Sequence, residues 1–146
     1  MDKSHIKFQL TQGNFKSNID FNLSDARIIA ITGLSGSGKS TIAKVICGLI
    51  KPKNGLIKIN NKILYSSEKL INVAPHLRKI GMVFQEPRLF SHMTVKNNLL
   101  YGQRRNSKFD IEKFEKIIKI LGIKNILNRS TYNLSGGEAQ RVSIGR

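Results

Sequence analysis

Residues Gly33-Leu34-Ser35-Gly36-Ser37-Gly38-Lys39-Ser40-Thr41 fit the pattern G-x-x-x-x-G-K-[ST], and this string restricts the fold more than any other stretch of the chain. Glycines at 33, 36 and 38 remove the Cβ atoms that would hold a ligand off the backbone, and they admit positive φ. A helix opening directly behind them turns free N–H groups and the positive end of its dipole on an anion. Lys39 adds a point charge, and the Ser40 hydroxyl is of the kind that joins the coordination of a divalent cation. The stretch therefore reads as a cradle for polyphosphate. Such a cradle needs a buried strand before it and a helix after it.

Both are expected from the flanking residues. Arg27-Ile28-Ile29-Ala30-Ile31-Thr32 is a nearly unbroken apolar run rich in β-branched residues, the composition of a parallel strand covered on both faces. Ile42, Val45, Ile46 and Leu49 recur at i, i+3, i+4 and i+7, one face of a helix, with Gly48 inside that face for close packing.

Composition narrows the alternatives. The 146 residues suffice for one domain with a core, and 40% hydrophobic and 23% charged residues indicate a globular chain. No apolar run approaches a membrane span, and Met1 to His5 lead into alternating residues rather than a secretory core. A cytoplasmic location follows, unless a partner holds the chain at a membrane. The lone Cys47 excludes an intramolecular disulfide and a zinc cluster, and its place on the helix after the glycine-rich loop favours packing over reactivity. The net charge of +16 invites a nucleic-acid reading. The 25 lysines and arginines are spread along the chain, however, and a solvated face is the simpler account.

Along the chain, Ile6, Phe8 and Leu10 alternate with polar residues, Gly13-Asn14 signals a turn, and Ile19, Phe21 and Leu23 alternate again. An antiparallel pair thus precedes the loop. Phe15, beside the turn, is either a packing residue or a platform for a nucleotide base. Pro52 and Asn54-Gly55 end the first helix. Leu56, Ile57 and Ile59 form a strand, Asn60-Asn61 a tight turn, and Ile63, Leu64 and Tyr65 the return strand. Ser66 to His76 reads as a loop, and Ile80-Gly81-Met82-Val83-Phe84 as a second buried strand. Glu86 does not read as a magnesium-holding acid, because Gln85 takes the strand-end position and Pro87 follows at once. From Ser91 the pattern is helical. Val95 to Tyr101 is a short helix ended by Gly102, and Gln103 to Lys108 a basic loop. Asp110 to Leu121 is an amphipathic helix stopped by Gly122. His92 has no clustered partners that would support a metal-ligand reading.

Leu134-Ser135-Gly136-Gly137-Glu138-Ala139-Gln140 carries a second helix start. Ser135 and Glu138 have the S-x-x-E spacing of a capping box, so a helix begins at about Gly136. Its exposed N–H groups and two glycines make either a second anion site or a plain capped helix.

Taken together, the glycine-rich loop, Gln85 at its strand end and Leu134 to Gln140 resemble the ATPase domain of the ATP-binding cassette (ABC) family. The resemblance covers the whole chain. It implies an α/β fold: a P-loop NTPase core with an N-terminal antiparallel β layer (residues 1–86) and a helical subdomain with the signature helix (87–146). The implied cofactors are ATP and Mg2+. Gly33 to Thr41 would bind the nucleotide, Lys39 and Gln85 would serve catalysis, and Ser40 and Gln85 the metal. Phe15 falls near the family's base-stacking aromatic. Ser135, Gly136 and Gly137 would meet the nucleotide of a second ATPase subunit in a head-to-tail dimer. Gln85 would relay nucleotide state to transmembrane permease subunits at the cytoplasmic face of the membrane. Phe84 to His92, Asn98 to Gly102, Leu121-Gly122-Ile123, Leu127-Asn128-Arg129 and Val142 to Arg146 are similar to molybdate importer ATPases, and similar strings occur in importers of sulfate, iron, polyamines and sugars. An ABC-type ATPase acting on DNA would suit the charge, but those proteins interrupt the stretch between Gln85 and the signature with coiled coils or zinc modules. The chain also departs from the family pattern. The apolar strand ending in Asp-Glu, the switch histidine and two central strands are not found in it, and no acidic residue follows Glu138. The expectation is an incomplete ABC ATPase domain, with a non-catalytic nucleotide-binding fragment as the alternative.

Overall fold

The computed structural model describes residues 4–12, 15–23, 28–102 and 110–146, with residues 12 and 15 in backbone alone. The chain divides into two compact units, Met1–Met82 and Val83–Arg146, and each has its own core. The turn at Gly13-Asn14, Arg27 of the first apolar run and the loop 103–108 fall outside the described residues.

The first unit is built on one antiparallel sheet. Strands β1 (Ser4–Gln12), β2 (Phe15–Leu23), β3 (Asn54–Ile59), β4 (Lys62–Ser66) and β5 (Ile71–Asn72) lie in the order β2-β1-β3-β4-β5. The alternation in β1 puts Ile6, Phe8 and Leu10 on one face, all buried, and His5, Lys7 and Gln9 on the other. Helix α1 (Lys39–Ile46) covers the apolar face, where its Val45 packs with Ile57, Leu64 and Tyr65. Asn60 and Asn61 turn the β3–β4 hairpin with φ of 47° and 64°, the pair of positive φ values that a two-residue hairpin of right-twisted strands requires. The Tyr65 hydroxyl, buried beneath the sheet, donates to the Pro52 carbonyl at 2.9 Å.

Three expectations are corrected here. The run 28–32, expected as a buried parallel strand, and the run 80–84, expected as a second buried strand, have no regular secondary structure and belong to no ladder. Ile28 is 90% exposed. A parallel strand is held by neighbours on both edges and cover on both faces, and among the described residues no strand pairs with either run. β-branched composition alone does not supply partners. The first helix stops at Ile46, three residues before Leu49. Gly48 takes φ 81°, and a Cβ there would lie 2.5 Å from Nε of Arg78. Gly48 does admit a close neighbour, but past the end of the helix rather than within its face. Finally, the stretch 66–76 is not all loop: it contains β5 and enters a 3-10 turn, Pro75–Leu77.

The second unit packs α2 (Val95–Leu100), α3 (Ile111–Leu121) and α4 (Gly136–Gly145) around Val95, Leu99, Ile118, Ile123, Ile126 and Val142. Asp110 caps α3 by accepting from the Lys113 N–H at 2.9 Å, and Gly122 ends it at φ 62°. Asn98 is fully buried yet satisfied. Its side-chain amide donates to the carbonyls of Phe90 and Thr94, and its oxygen accepts from the Phe90 N–H at 2.8 Å. One asparagine thereby fixes the chain entering α2 in the manner of a strand partner. Gly145 lets α4 approach its neighbours, since a Cβ there would lie 2.8 Å from Leu99 Cδ2 and 2.9 Å from Leu121 Cδ1.

Candidate functional site

The glycine-rich loop has the backbone its sequence requires. Gly33, Gly36 and Gly38 take φ of 149°, 79° and 89°, values that L side chains rarely adopt. A Cβ at Gly36 would meet nothing within 4 Å, so that part of the loop is open to an incoming group. Gly38 is the N-cap of α1, and no side chain caps that helix and no acid sits in its first turn. The contrast with the other α-helices is chemical. Thr94, Asp110 and Ser135 each accept from a first-turn N–H of α2, α3 and α4, whereas the first turn of α1 has no side-chain acceptor, the arrangement an anion can use.

Lys39 folds back over the loop. Its ammonium donates to the carbonyl of Gly33 at 2.9 Å and to that of Leu34, with Ser37 Oγ at 3.5 Å. These contacts hold the positive charge at the centre of the cradle, where an anion would meet it. Ser35, Ser37 and Ser40 are exposed at the rim, and Thr41 is half-buried on α1. A cleft of about 610 Å3 adjoins the loop between β2 and the segment 29–33, and Phe21, Leu23, Ile29, Ile31, Ile42 and Lys39 are among its lining residues. The three positive-φ glycines, the uncapped helix and the lysine fit a polyphosphate. A divalent cation beside it would find the Ser40 hydroxyl, with phosphate and water oxygens to complete its shell. Among the described residues no group of three His, Cys, Asp or Glu side chains is placed to hold a metal ion.

The remaining candidates lie elsewhere. Gln85 is exposed in a bend of the second unit rather than at a strand end, because the run before it forms no strand. Phe15 begins β2, and its side chain falls outside the described residues. Ser135, Gly136 and Gly137 are exposed at the start of α4 in the second unit. There the capping box is complete. Ser135 N–H and Oγ donate to Glu138 Oε2 at 2.8 and 2.9 Å, and the Glu138 N–H donates to Ser135 Oγ at 3.3 Å. The backbone and hydroxyl hydrogen bonds from Ser135 hold the Glu138 carboxyl below its ordinary range, with Arg129 and Arg141 adding to the effect. The structure thus brings Gly33 to Thr41 together in one unit, and the signature residues and Gln85 in the other.

Two long-range contacts that the sequence does not announce shape these sites. Arg78 is 4% exposed, and its guanidinium donates to the carbonyls of Val45, Ile46 and Val73 at 3.1, 2.8 and 2.8 Å. It ties the C-terminal end of the helix that carries the cradle to the chain entering the 3-10 turn. No local pattern announces it, since the contact spans some thirty residues. Gln140 of α4 donates to the Phe84 carbonyl at 3.2 Å, next to Gln85. Its place in the signature string was legible, but its partner was not. Arg88, at φ 37°, lies over the Phe84 ring at 4.3 Å.

The sequence profile of the ABC transporter family matches residues 16–146, which takes in both the cradle and the capped α4. The chain belongs to the ABC transporter family. It is 46% identical over 142 residues to the molybdenum import ATP-binding protein ModC of Haemophilus influenzae, covering 97% of this chain and 39% of that protein. The ModC proteins of Pasteurella multocida and Escherichia coli are each 43% identical, covering 100% and 97% of this chain and 40% and 39% of theirs. The chain thus spans about two fifths of the length of these relatives. Among solved structures, cbiO1 of Clostridium perfringens, part of the ABC transporter complex cbiONQ, superimposes with a TM-score of 0.73 at 27% identity, over 98% of this chain and 59% of that one. The fold is accordingly that of an ABC ATPase. Membership of the ABC family implies ATP binding. No helix among the described residues is long and apolar enough to cross a membrane.

Proposed function

We propose that this chain is the nucleotide-binding part of the ATPase subunit of an ABC importer whose cargo is molybdate. The observation that carries the reading is the cradle: three positive-φ glycines leading into an uncapped helix, with Lys39 over the loop. The identity to molybdenum import ATP-binding proteins along the whole chain supports the cargo.

In this reading the residues divide the work. The loop backbone and the first turn of α1 hold the phosphates of ATP, and Lys39 exchanges its loop carbonyls for phosphate oxygens. Ser40 joins the shell of Mg2+, which neutralises charge on the phosphates when bound. Gln85 senses the occupied site and passes that state to permease subunits at the cytoplasmic face of the membrane. Phe15 stacks on the base. Ser135, Gly136 and Gly137 face the γ-phosphate held by a second ATPase subunit, in a head-to-tail pair. Nucleic acid has no place in this scheme, because the basic residues are distributed over both units rather than gathered in one stripe.

A genetic experiment tests the assignment. Cells lacking the locus should lose molybdenum-enzyme activity at trace molybdate and regain it at high molybdate. The full reading frame should complement the loss, and the same frame with Lys39→Ala should not. Calorimetry should show the matching loss of Mg-ATP affinity in Lys39→Ala. Equal ATP affinity in both proteins would sink the nucleotide site, and normal enzyme activity at trace molybdate would sink the cargo alone.

A further inference from the structure

The signature serine is not free in this structure. A hydroxyl has one hydrogen to give. That of Ser135 goes to Glu138 Oε2 at 2.9 Å, and the same carboxylate oxygen takes the Ser135 N–H at 2.8 Å. The Oγ lone pairs are turned to the Glu138 N–H at 3.3 Å. On its other side the carboxylate has Arg129, with Nη1 at 3.7 Å from Oε1. The start of α4 therefore already contains an anion, supplied by its own third residue. An incoming phosphate oxygen would need the hydrogen that Glu138 holds, and would approach a negative charge to take it.

We infer that Glu138 is a positioning residue that competes with phosphate for the Ser135 hydroxyl, so that α4 accepts a partner's nucleotide only after the carboxylate lets go. The inference rests on the head-to-tail reading above for its biological setting, though not for its chemistry. Glutamine at this position keeps the cap, because its amide oxygen still accepts from the Ser135 N–H and the S-x-x-Q spacing is an equally good capping box. What glutamine removes is the negative charge and the strong acceptor for the hydroxyl. Glu138→Gln should therefore leave α4 folded while freeing Ser135 for phosphate. The direction is informative: a residue inside a binding motif is expected to strengthen binding when its charge is removed.

The experiment has two arms, both with the protein expressed from its full reading frame. In the first, inorganic phosphate is titrated while the amide resonances of Gly136 and Gly137 are followed by NMR. Glu138→Gln should respond at a phosphate concentration roughly three- to tenfold lower than wild type, the range of one exposed charge-assisted hydrogen bond. Combining it with Ser135→Ala should reduce that gain, as coupled partners do. An equal response in wild type and Glu138→Gln overturns the inference. So does a gain that persists undiminished without the hydroxyl, which would mean that charge alone is at work. In the second arm, ATP-dependent pairing is measured by sedimentation. Half-maximal pairing at lower ATP in Glu138→Gln supports the inference, and pairing at equal or higher ATP contradicts it. Absence of pairing in both proteins defeats the head-to-tail reading, while the phosphate arm still decides the role of Glu138. Circular dichroism should be unchanged by Glu138→Gln and the thermal midpoint should fall slightly, since a carboxylate at a helix start is stabilising; a purely structural role would lower the midpoint without any gain in phosphate response.

Discussion

Gly55 shows how much a single position can demand. Its φ is 140°, and a Cβ built on it would lie 2.1 Å from the Lys7 carbonyl oxygen and 2.5 Å from Phe8 Cα. Both are backbone atoms of the neighbouring strand β1, so no rotamer change relieves the clash. Gly55→Ala should cost at least about 3 kcal/mol in a urea titration. Gly81→Ala, where the added methyl meets nothing within 4 Å, should stay within about 0.5 kcal/mol of wild type. Across the same strand, on the solvent face, Asp20 lies between Lys7 Nζ at 2.7 Å and His5 Nε2 at 2.8 Å. Hydrogen bonds from Lys7 and His5 hold its carboxyl below the ordinary range, and the bond to Asp20 raises Lys7. For a depressed carboxyl, the stabilisation is complete above its unfolded pKa and lost as pH falls through the lower folded value. The raised lysine gives the mirror statement: its share is complete below the unfolded lysine pKa and fades as pH climbs through the folded value. Thermal midpoints should therefore form a plateau that declines on the acid side below the ordinary carboxylate range, and Asp20→Asn should flatten that decline. A decline equally steep in the variant would show that other carboxyls carry it.

At the scale of one element, α1 is the piece on which the site depends. Its N-terminal end has no side-chain cap, so its hold on the protein comes from Val45 in the core and from Arg78 at the far end. A guanidinium at a helix C-terminus satisfies orphan carbonyls and opposes the negative end of the dipole. Arg78→Met keeps the volume but takes the donor from the carbonyls of Ile46 and Val73, while that of Val45 keeps the Gly48 N–H at 3.0 Å. The expected loss is about 2–4 kcal/mol. Arg78→Lys should recover little of it, since a point charge cannot reproduce the planar fork. Cys47, the C-cap of α1, gives a local readout. Burial pushes its thiol above the ordinary range, so alkylation should be slow in the wild-type protein. In Arg78→Met it should accelerate as that helix end opens. An alkylation rate unchanged by the substitution would mean that the helix end does not depend on Arg78.

For the whole molecule, the question is what these 146 residues can carry out. Phosphoryl transfer to water relies on placing the phosphate and on orienting the water. In the proposed reading, Lys39, Ser40 and the loop backbone address the first task. No acidic residue follows Glu138, and Glu138 itself is bound to Ser135 and faces Arg129. The 146 residues should accordingly bind Mg-ATP but release phosphate slowly, because general-base assistance is worth on the order of 10²–10⁴-fold. The comparison is phosphate release by the folded 146-residue chain beside the protein from the full reading frame. Comparable rates, both abolished by Lys39→Ala, would mean that the water is oriented by a residue not identified above.

What the sequence determined by itself was local. The glycine-rich loop, the Asn60-Asn61 hairpin, the stop at Gly122 and the box between Ser135 and Glu138 each follow from residues within a few positions of one another, and backbone sterics and short hydrogen bonds leave them little choice. The alternation of Ile6, Phe8 and Leu10 was equally readable, because a half-buried antiparallel strand records its environment in its own residues. The tertiary structure alone decided the rest. The runs 28–32 and 80–84 have strand composition but no strand, since ladder partners are a property of other segments. The first helix ends at Ile46, not Leu49, because Gly48 and Arg78 meet across thirty residues. Gln140 bears on Phe84 across 56 positions. In each case the outcome depends on which distant group arrives, and a distant group leaves no periodicity at the position it reaches.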